Sequence, residues 1–184
     1  MAKYPKLPDN GFVLLLTEEE IGKRVRQLGR QIDKDYRGRV PIIIGILNGS
    51  FVFLADLVRR LTIDCEIDFL RISSYGRSKV SSGKVNLVND LCCDVKGRDV
   101  IIVEDVIDSG SSVKFIRKKL AAHKPGTVRV VSLLRKKGTS QRRIPVEYVG
   151  FDIARHFVVG YGLDSAERFR NLRAIYRSTE DLVN

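Results

Sequence analysis

The most informative stretch of the sequence is VIIVEDVIDSGSSV, residues 100–113. It opens with four β-branched apolar residues, which predict a strand buried on both faces of a sheet. Two adjacent acids then interrupt the apolar run, and a small, hydroxyl-rich loop follows them. A helix is predicted to begin near Ser111 and to continue through Leu120. The stretch therefore predicts a strand–loop–helix unit, the repeating unit of α/β folds.

The loop of this unit combines two kinds of polar group. A glycine-containing loop that enters a helix presents backbone N–H groups and the positive end of the helix dipole, which suits a phosphate. Carboxylates repel phosphate, so Glu104 and Asp105 are unexpected next to a phosphate site. Their presence is explained if they hold sugar hydroxyls or a divalent cation. Together these groups indicate a site for a phosphorylated sugar. The alternative is an ordinary strand–turn–helix unit in which a Ser or Asp caps the helix.

The same stretch resembles the phosphoribosyl-diphosphate (PRPP) signature of the type I phosphoribosyltransferases. Its Glu104-Asp105 pair, with a third acid at Asp108, resembles the purine-salvage branch, hypoxanthine-guanine phosphoribosyltransferase. The resemblance spans roughly residues 10–177. Neither rival phosphate motif fits, because the chain has no G-x-x-x-x-G-K-[ST] and Gly160-Tyr161-Gly162 lacks the third glycine of a dinucleotide loop.

The resemblance implies roles for the residues of the signature. Glu104 and Asp105 would hold the ribose hydroxyls, directly or through Mg²⁺, and Asp108 would act near purine N7 as general base or acid. The 5-phosphate of PRPP would lie on backbone N–H groups of Ser109, Gly110, Ser111 and Ser112. Related sequences often have Lys where Ser111 stands, so one charged phosphate contact is missing here.

A second strand–loop–helix unit is predicted upstream. The apolar run Val40 to Leu47 predicts a buried strand, and a helix with inward apolar residues follows the loop Asn48-Gly49-Ser50. In open α/β sheets, ligands bind at the carboxyl ends of strands. The resemblance implies that Asn48 and Gly49 bind pyrophosphate, with a non-proline cis peptide bond between Leu47 and Asn48. Related sequences commonly have Lys in place of Asn48, so a lysine contact is absent.

Residues 73–84 are rich in Ser, Gly and basic residues and follow a strand predicted at Ile63 to Ile72. On composition alone this segment is a flexible hairpin tip. The resemblance implies instead a mobile loop, carrying Ser74 and Tyr75 and preceded by Arg71, that closes over the active site and excludes water. A returning strand is predicted at Val85 to Leu91.

The C-terminal half contains the segments that match the family's base-binding and pyrophosphate-binding residues. The resemblance implies that Lys136, after a strand at Val128 to Leu134, binds the 6-oxo group of the purine. It implies that the purine stacks on Phe157 and contacts the backbone of Val158. Asp164, later in the same segment, would face a metal ion, and the metal ligands would be Glu104, Asp105 and Asp164. Arg170 would bind pyrophosphate, and His156 replaces a Lys common in relatives.

The remaining sequence predicts one domain, residues 1–184. Thr17 and Glu20 form a capping box that starts an amphipathic helix over 18–36. A further short strand is predicted at Glu147 to Phe151. The resemblance implies a doubly wound α/β fold with a mainly parallel sheet, and a small hood built from the N-terminal part and residues 145–184.

Composition limits the setting of the protein. No apolar run approaches a membrane span, and the N-terminus has no signal-peptide pattern. The three cysteines, Cys65, Cys92 and Cys93, lack a metal-binding spacing and are expected to be reduced thiols in a cytoplasmic protein. The net charge of +11 favours phosphorylated substrates or nucleic acid as partners, although basic clusters are commonly solvated surfaces.

These observations predict an enzyme that transfers 5-phosphoribose from PRPP to hypoxanthine or guanine, giving IMP or GMP and pyrophosphate. Mg²⁺ is the expected cofactor, and the resemblance implies a homodimer or homotetramer. Two alternatives remain at this stage. One is another PRPP-using enzyme, such as one that prefers xanthine; the other is a regulatory RNA-binding protein on the same scaffold, although no specific nucleic acid is expected.

Overall fold

A computed structural model describes residues 11–74, 85–88, 91–138 and 144–180. Tyr75 and most of the predicted mobile loop at 73–84 lie outside this part of the chain. The three helices are α1 (Glu18–Asp35), α2 (Phe51–Val58) and α3 (Ser111–Ala122). The strands in chain order are β1 (Phe12–Leu16), β2 (Ile42–Leu47), β3 (Glu66–Ser74), β4 (Val85–Leu87), β5 (Asp99–Ile107), β6 (Thr127–Lys136), β7 (Tyr148–Ile153), β8 (Val158–Val159) and β9 (Ile175–Ser178).

The main sheet has six strands in the order β4-β3-β2-β5-β6-β7. The five strands from β3 to β7 pair in parallel, and β4 joins the edge antiparallel to β3. The chain moves from β2 outward to β3 and then returns to β5 on the other side of β2. This reversal between β2 and β5 is a topological switch point, where open α/β sheets bind their ligands.

Helices cover both faces of the sheet, as the predicted doubly wound fold requires. On one face, α1 and α2 pack with Ile43, Ile101 and Val103, and this layer includes the fully buried Leu28. On the other face, α3 packs with the alternate residues of the same strands, including Ile102. The central strands are buried on both faces because successive side chains point to opposite sides of the sheet.

A smaller sheet, in the order β1-β9-β8, forms the predicted hood. It joins residues 12–16 near the N-terminus to residues 158–159 and 175–178. The range 145–184 assigned to the hood includes β7, but β7 pairs with β6 in the main sheet. The C-terminal part of the small sheet therefore begins after β7. β7 itself is an apolar strand that lies parallel to β6 and extends the main core.

Several element boundaries differ from those expected. β5 does not stop at the acids but continues through Glu104 and Asp105 to Ile107, because it pairs with β6 along its whole length. β4 ends at Leu87, earlier than the predicted Leu91. The capping box is present, since Thr17 Oγ1 accepts from Glu20 N at 3.2 Å and Glu20 accepts from Thr17 N at 2.8 Å.

The remaining expectations about the fold concern membranes and cysteines. None of the helices in the described ranges is long and apolar enough to cross a membrane. Cys65, Cys92 and Cys93 are free thiols. Asp68 fixes the last two, because its Oδ2 accepts from Cys92 N at 2.8 Å and from Cys93 N at 3.1 Å.

Candidate active site

The switch point brings together two loops that the sequence analysis identified separately. β2 and β5 are neighbours in the sheet, so the loop after Leu47 and the loop after Ile107 leave the same edge side by side. β6 is the next strand, and Ile107 is paired with Arg135, which places Lys136 beside the second loop. The carboxyl edge of the sheet therefore gathers the predicted pyrophosphate, PRPP and base residues.

The loop after β2 has the backbone form that the resemblance implied. The Leu47–Asn48 peptide bond is cis. Gly49 lies directly against the carboxylate of Asp105, and any side chain at this position would overlap that carboxylate. On its other side, the Gly49 carbonyl lies against Gly162, whose φ of +99° suits glycine alone. Three segments distant in sequence thus meet through backbone and one acid.

The two acids of the signature occupy unfavourable environments for charge. Glu104 is 6% exposed, and burial followed by repulsion from Asp105 raises its pKa well above the ordinary range. Burial also raises the pKa of Asp105 to about 6, against the opposing effects of its hydrogen bond from Val106 N and of the Arg170 guanidinium. Two neighbouring carboxyl groups whose pKa values are raised by burial are typical of a functional site.

Arg170 organises the far wall of the site. Its Nη2 lies 2.9 Å from Asp164 Oδ1 and 2.8 Å from Glu167 Oε2, and its Nη1 donates to the Gly162 carbonyl at 2.9 Å. Asp164 Oδ2 accepts in turn from Glu167 N at 2.9 Å. The guanidinium is therefore held in place by two acids and one carbonyl, with its side chain 19% exposed.

The loop that carries these residues has an unusual backbone. Four non-glycine residues adopt the left-handed conformation between positions 161 and 169: Tyr161, Ala166, Glu167 and Phe169. Such residues cost about 1–3 kcal/mol each and cluster at functional sites. The hydrogen bond from Tyr161 Oη to Asp56 Oδ2, at 2.6 Å, anchors the start of this loop on α2.

The walls enclose a cavity of about 630 Å³ at the carboxyl edge of the sheet. A volume of this size suits a small phosphorylated substrate. Its charged lining contains Asp105, Asp164 and Glu167 together with Arg71 and Arg170, and the loop residues Asn48 and Gly49 complete it. The residues predicted to bind pyrophosphate, Asn48 and Gly49 in the N-terminal half and Arg170 in the C-terminal half, therefore line the same cavity.

Asp108 and Lys136 form an ion pair at the mouth of the second loop. Lys136 Nζ lies 3.1 Å from Asp108 Oδ2; the lysine side chain is 16% exposed and the aspartate side chain 54%. Asp108, predicted to transfer the proton, and Lys136, predicted to bind the 6-oxo group, are thus in direct contact. A purine that accepts a hydrogen bond at O6 and exchanges a proton at N7 presents both positions on one edge, so the pair has a suitable spacing.

The loop between Asp108 and α3 contains the residues predicted to bind the 5-phosphate. α3 begins at Ser111, as expected, and its first turn contains no acid that would compete with a phosphate. Ser109 Oγ lies 2.9 Å from Ser111 Oγ and accepts from Ser111 N at 3.3 Å. Gly110, with φ +74°, is buried against Ile144, so a side chain there would collide with that residue.

The predicted base-binding segment lies in the small sheet. The Phe157 ring is 46% exposed and its centroid lies 6.4 Å from that of Phe12. Val158 belongs to β8, an edge strand, and only one edge of an edge strand is paired, so alternate backbone groups face away from the sheet. His156 Nδ1 is buried and has no hydrogen-bond partner within the described residues.

The acids do not form a ready-made metal cage. Within the described ranges, no three His, Cys, Asp or Glu side chains are grouped so as to hold a metal ion by themselves. Mg²⁺ typically takes one or two protein carboxylates and completes its shell with water and substrate phosphates. The carboxylates of Asp105 and Asp164 line the cavity and fit a metal of that kind, which would arrive with a phosphorylated substrate.

The sequence analysis missed Glu167. It lines the cavity and pairs with Arg170, and its φ of +62° places it in the strained loop. Its spacing of three residues from both Asp164 and Arg170 was the available signal. That spacing carried no direction in the sequence, because no helix or strand was predicted there.

The fold and the site together define the class of protein. The phosphoribosyl transferase domain family matches residues 15–166, and the chain belongs to that family. It is 43% identical to the hypoxanthine-guanine phosphoribosyltransferase of Bacillus subtilis (strain 168), over 86% of this chain and 88% of that protein.

Further relatives and a solved structure agree with this placement. The chain is 43% identical to the bifunctional protein TilS/HprT of Listeria innocua over 86% of its length, and it spans 24% of that longer protein. A crystal structure of a hypoxanthine-guanine phosphoribosyltransferase from Bacillus anthracis superposes with a TM-score of 0.84 at 41% identity. The superposition covers 90% of this chain and 97% of that one.

Proposed function

We propose that the protein transfers the 5-phosphoribosyl group of PRPP to hypoxanthine or guanine and releases pyrophosphate, a reaction of purine salvage. The observation that carries the proposal is the convergence, at one switch point, of an anion-binding helix start, a buried acid pair and the Asp108–Lys136 pair. Relatives of similar length with 43–44% identity are hypoxanthine-guanine phosphoribosyltransferases, which supports the same substrates.

Each end of PRPP has a matching part of the site. The 5-phosphate lies on the N–H groups of residues 109–112, at the positive end of α3. The ribose hydroxyls bind Glu104 and Asp105, and the pyrophosphate lies in the cavity against Arg170 and the Asn48-Gly49 loop. Asp105 and Asp164 would hold Mg²⁺ together with the substrate, and the bound ion would supply positive charge to the leaving pyrophosphate.

The chemistry is a displacement at the anomeric carbon. The bond from C1 to the pyrophosphate oxygen breaks through an oxocarbenium-like state, and a bond from C1 to purine N9 forms. The electron pair of the broken bond leaves with pyrophosphate, whose charge Arg170 stabilises. The Asp108 carboxylate accepts the proton that the purine loses at N7.

Lys136 selects the base. An ammonium group has three donors and no acceptor, so it pairs with the 6-oxo group of hypoxanthine or guanine and not with the 6-amino group of adenine. In the structure the ammonium is mostly enclosed and touches Asp108. Sites built for a polar partner reject an unmatched analogue by roughly 10⁴–10⁵-fold.

A panel of bases tests the proposal. With PRPP and Mg²⁺, we expect nucleotide formation from hypoxanthine or guanine and a kcat/KM for adenine lower by about 10⁴-fold. In the Lys136→Ala variant, kcat/KM for hypoxanthine should fall and the gap to adenine should narrow, whereas Lys137→Ala, at the exposed next position, serves as control. Equal use of adenine and hypoxanthine by the wild type contradicts the proposal. If the protein uses xanthine alone, xanthine is the substrate in place of hypoxanthine and guanine.

We further propose a homodimer or homotetramer that works in the cytoplasm, as the relationship to the family suggests. Sedimentation equilibrium of the purified protein measures the first point. A monomer of 20.8 kDa at micromolar concentration contradicts it.

A further inference from the structure

Helix α1 carries a row of cations that the active site does not use. Lys23, Arg26, Arg30 and Lys34 follow one another at spacings of three or four residues, and all four are exposed. On a helix of 3.6 residues per turn these positions share one face, with neighbours about 5–6 Å apart over a length of about 16 Å. Arg37 follows in the turn after the helix and is also exposed.

The opposite face of α1 fixes the orientation of this row. Ile21, Val25, Leu28 and Ile32 are at most 1% exposed in the core between the helix and the sheet. The apolar face is therefore already used for folding, and the cationic row points to solvent. A helix in this position has no apolar face to insert into a lipid bilayer, which membrane-surface helices require.

Three acids lie near the row. Glu19 is exposed on the same face, four residues before Lys23. Asp33 Oδ1 accepts from the backbone of Thr62 at 2.9 Å, and Asp35 Oδ2 binds Arg129 and Tyr148, each at 2.7 Å. In the described ranges, none of the four cations of the row lies within ion-pair distance of an acid. The row is therefore a line of four cations with one acid at its N-terminal end, in a protein whose net charge is +11.

The cationic surface extends onto α2. Arg26 and Arg60 line a common groove of about 410 Å³, and both side chains are exposed. The acids Glu18, Glu19 and Asp56 also line this groove, so its lining is mixed in charge. Arg59, the next residue, has a side chain that is 78% exposed and lies 3.9 Å from Asp56. The surface therefore has a long row on α1 and a shorter flank at the end of α2.

We infer that this α1 surface binds the phosphate backbone of nucleic acid, independently of base sequence. A line of fixed cations spaced about 5–6 Å apart complements a strand that carries one phosphate per about 3.4 Å of helix axis. α1 contains no aromatic residue on which a base could stack. Backbone contacts position a protein on nucleic acid but carry no sequence information.

Two charge-matched variants test the inference in the full-length protein. The row variant carries Lys23→Gln, Arg30→Gln and Lys34→Gln; the control carries Lys96→Gln, Lys118→Gln and Lys119→Gln, three exposed lysines elsewhere. Each lowers the net charge from +11 to +8. Binding of a fluorescent single-stranded 20-nucleotide RNA is measured between about 50 and 200 mM KCl, the range in which phosphate contacts dominate.

The row variant should bind RNA on the order of 10- to 100-fold more weakly at about 0.1 M KCl, and the slope of log K against log [KCl] should become less steep by about 2. The control should change affinity by less than about threefold, since it leaves the row intact. Phosphoribosyl transfer should be the same in both variants, because none of the substituted residues lines the cavity at the sheet edge.

Three results would overturn the inference. The first is equal loss of RNA affinity in both variants, which would mean that overall charge alone is responsible. The second is a preference of about 10²-fold or more between two RNAs of unrelated sequence, because specific binding exceeds backbone binding by such factors. The third is row-dependent binding of inorganic polyphosphate or of vesicles containing phosphatidylserine when RNA does not bind.

Discussion

At the scale of single residues, Asp105 carries a cost in stability, and we propose that it has a role in binding. It lies against Gly49 and lines the cavity, and burial raises its pKa to about 6. A carboxylate in that place would serve the proposed ribose contact but disfavours the folded free protein. Functional sites commonly hold groups that reduce stability in this way.

The Asp105→Asn variant should therefore be more stable than the wild type at pH 8, by about 1–3 kcal/mol. A pKa raised in the folded state means that ionisation opposes folding, so wild-type stability falls as the pH rises from about 4 to about 6 and the full cost remains above that. Urea unfolding at pH 8 and pH 4 measures the difference, which should vanish at pH 4. A variant less stable than wild type at pH 8 contradicts the assigned environment.

Asp108 is the residue that we propose for the proton transfer. Asp108→Asn should lower kcat by about 10²-fold or more, because general acid–base groups contribute about 10²–10⁴-fold, while KM for PRPP changes less. The amide can still accept a hydrogen bond from Lys136 Nζ, so the packing around the 3.1 Å contact is kept. Steady-state kinetics of the folded variant decide the matter, and an unchanged kcat removes Asp108 from this role.

At the scale of elements, the site depends on a contact between two loops from opposite ends of the chain. The Gly49 carbonyl, after β2, lies against Gly162, after β8. This contact joins two walls of the cavity, the loop at the sheet edge and the loop that carries Asp164 and Arg170. Neither loop forms a regular element, so close backbone approach replaces side-chain packing.

Gly162→Ala should destabilise the protein by about 3 kcal/mol or more and abolish transfer, because the methyl group meets the Gly49 carbonyl and φ is +99°. Gly38→Ala is the matched control. Its φ is +74°, but a methyl group there meets nothing within 4 Å, so it should cost about 1 kcal/mol and leave kcat unchanged. Thermal unfolding and transferase assays compare the two; equal effects would show that conformation alone, and not the loop contact, matters.

The sequence predicted the long elements better than the short ones. The apolar runs of β2, β5 and β6 and the capping box of α1 are strong local signals, and each corresponds to an observed element. The small sheet was not predicted as strands, because β8 has two residues and β9 has four, too few for a periodic pattern. β1 was not predicted as a strand either, since its partner lies more than 150 residues away.

The site shows the same division. The order of the strands explains why Asp108 and Lys136 meet. The resemblance identified both residues, but their contact was not predicted. The left-handed backbone between residues 161 and 169 could not be predicted, because Tyr161, Ala166, Glu167 and Phe169 have no intrinsic preference for it. Tertiary contacts such as that of Tyr161 with Asp56 impose it.

At the scale of the whole molecule, the acidic and basic groups are separated by function. The cavity at the sheet edge mixes three acids with two arginines, whereas the exposed face of α1 is cationic. A substrate with several phosphates would meet acids in the cavity and would be repelled unless cations accompany it. The composition of the cavity therefore supports the proposal that the complete site needs a metal ion.

Transfer should accordingly require Mg²⁺ or Mn²⁺, and it should stop after exhaustive treatment with a chelator and resume when either ion is added. The physical reason is that Asp105, Asp164 and Glu167 face the cavity proposed for pyrophosphate. The two arginines of the cavity, of which Arg170 is already paired with two of these acids, cannot offset the charge of the acids and of pyrophosphate together. Initial rates with PRPP and hypoxanthine measure the effect. Full turnover in the chelated sample contradicts it.

The central claim is that this one cavity couples loss of pyrophosphate from PRPP to formation of a purine nucleotide. The most direct measurement follows both products in one reaction of PRPP, hypoxanthine and Mg²⁺, by phosphorus NMR for pyrophosphate and chromatography for IMP. We predict one pyrophosphate per IMP throughout the time course, and neither product when the base is omitted. Pyrophosphate release without nucleotide, or no IMP in the presence of the folded protein, would contradict the account.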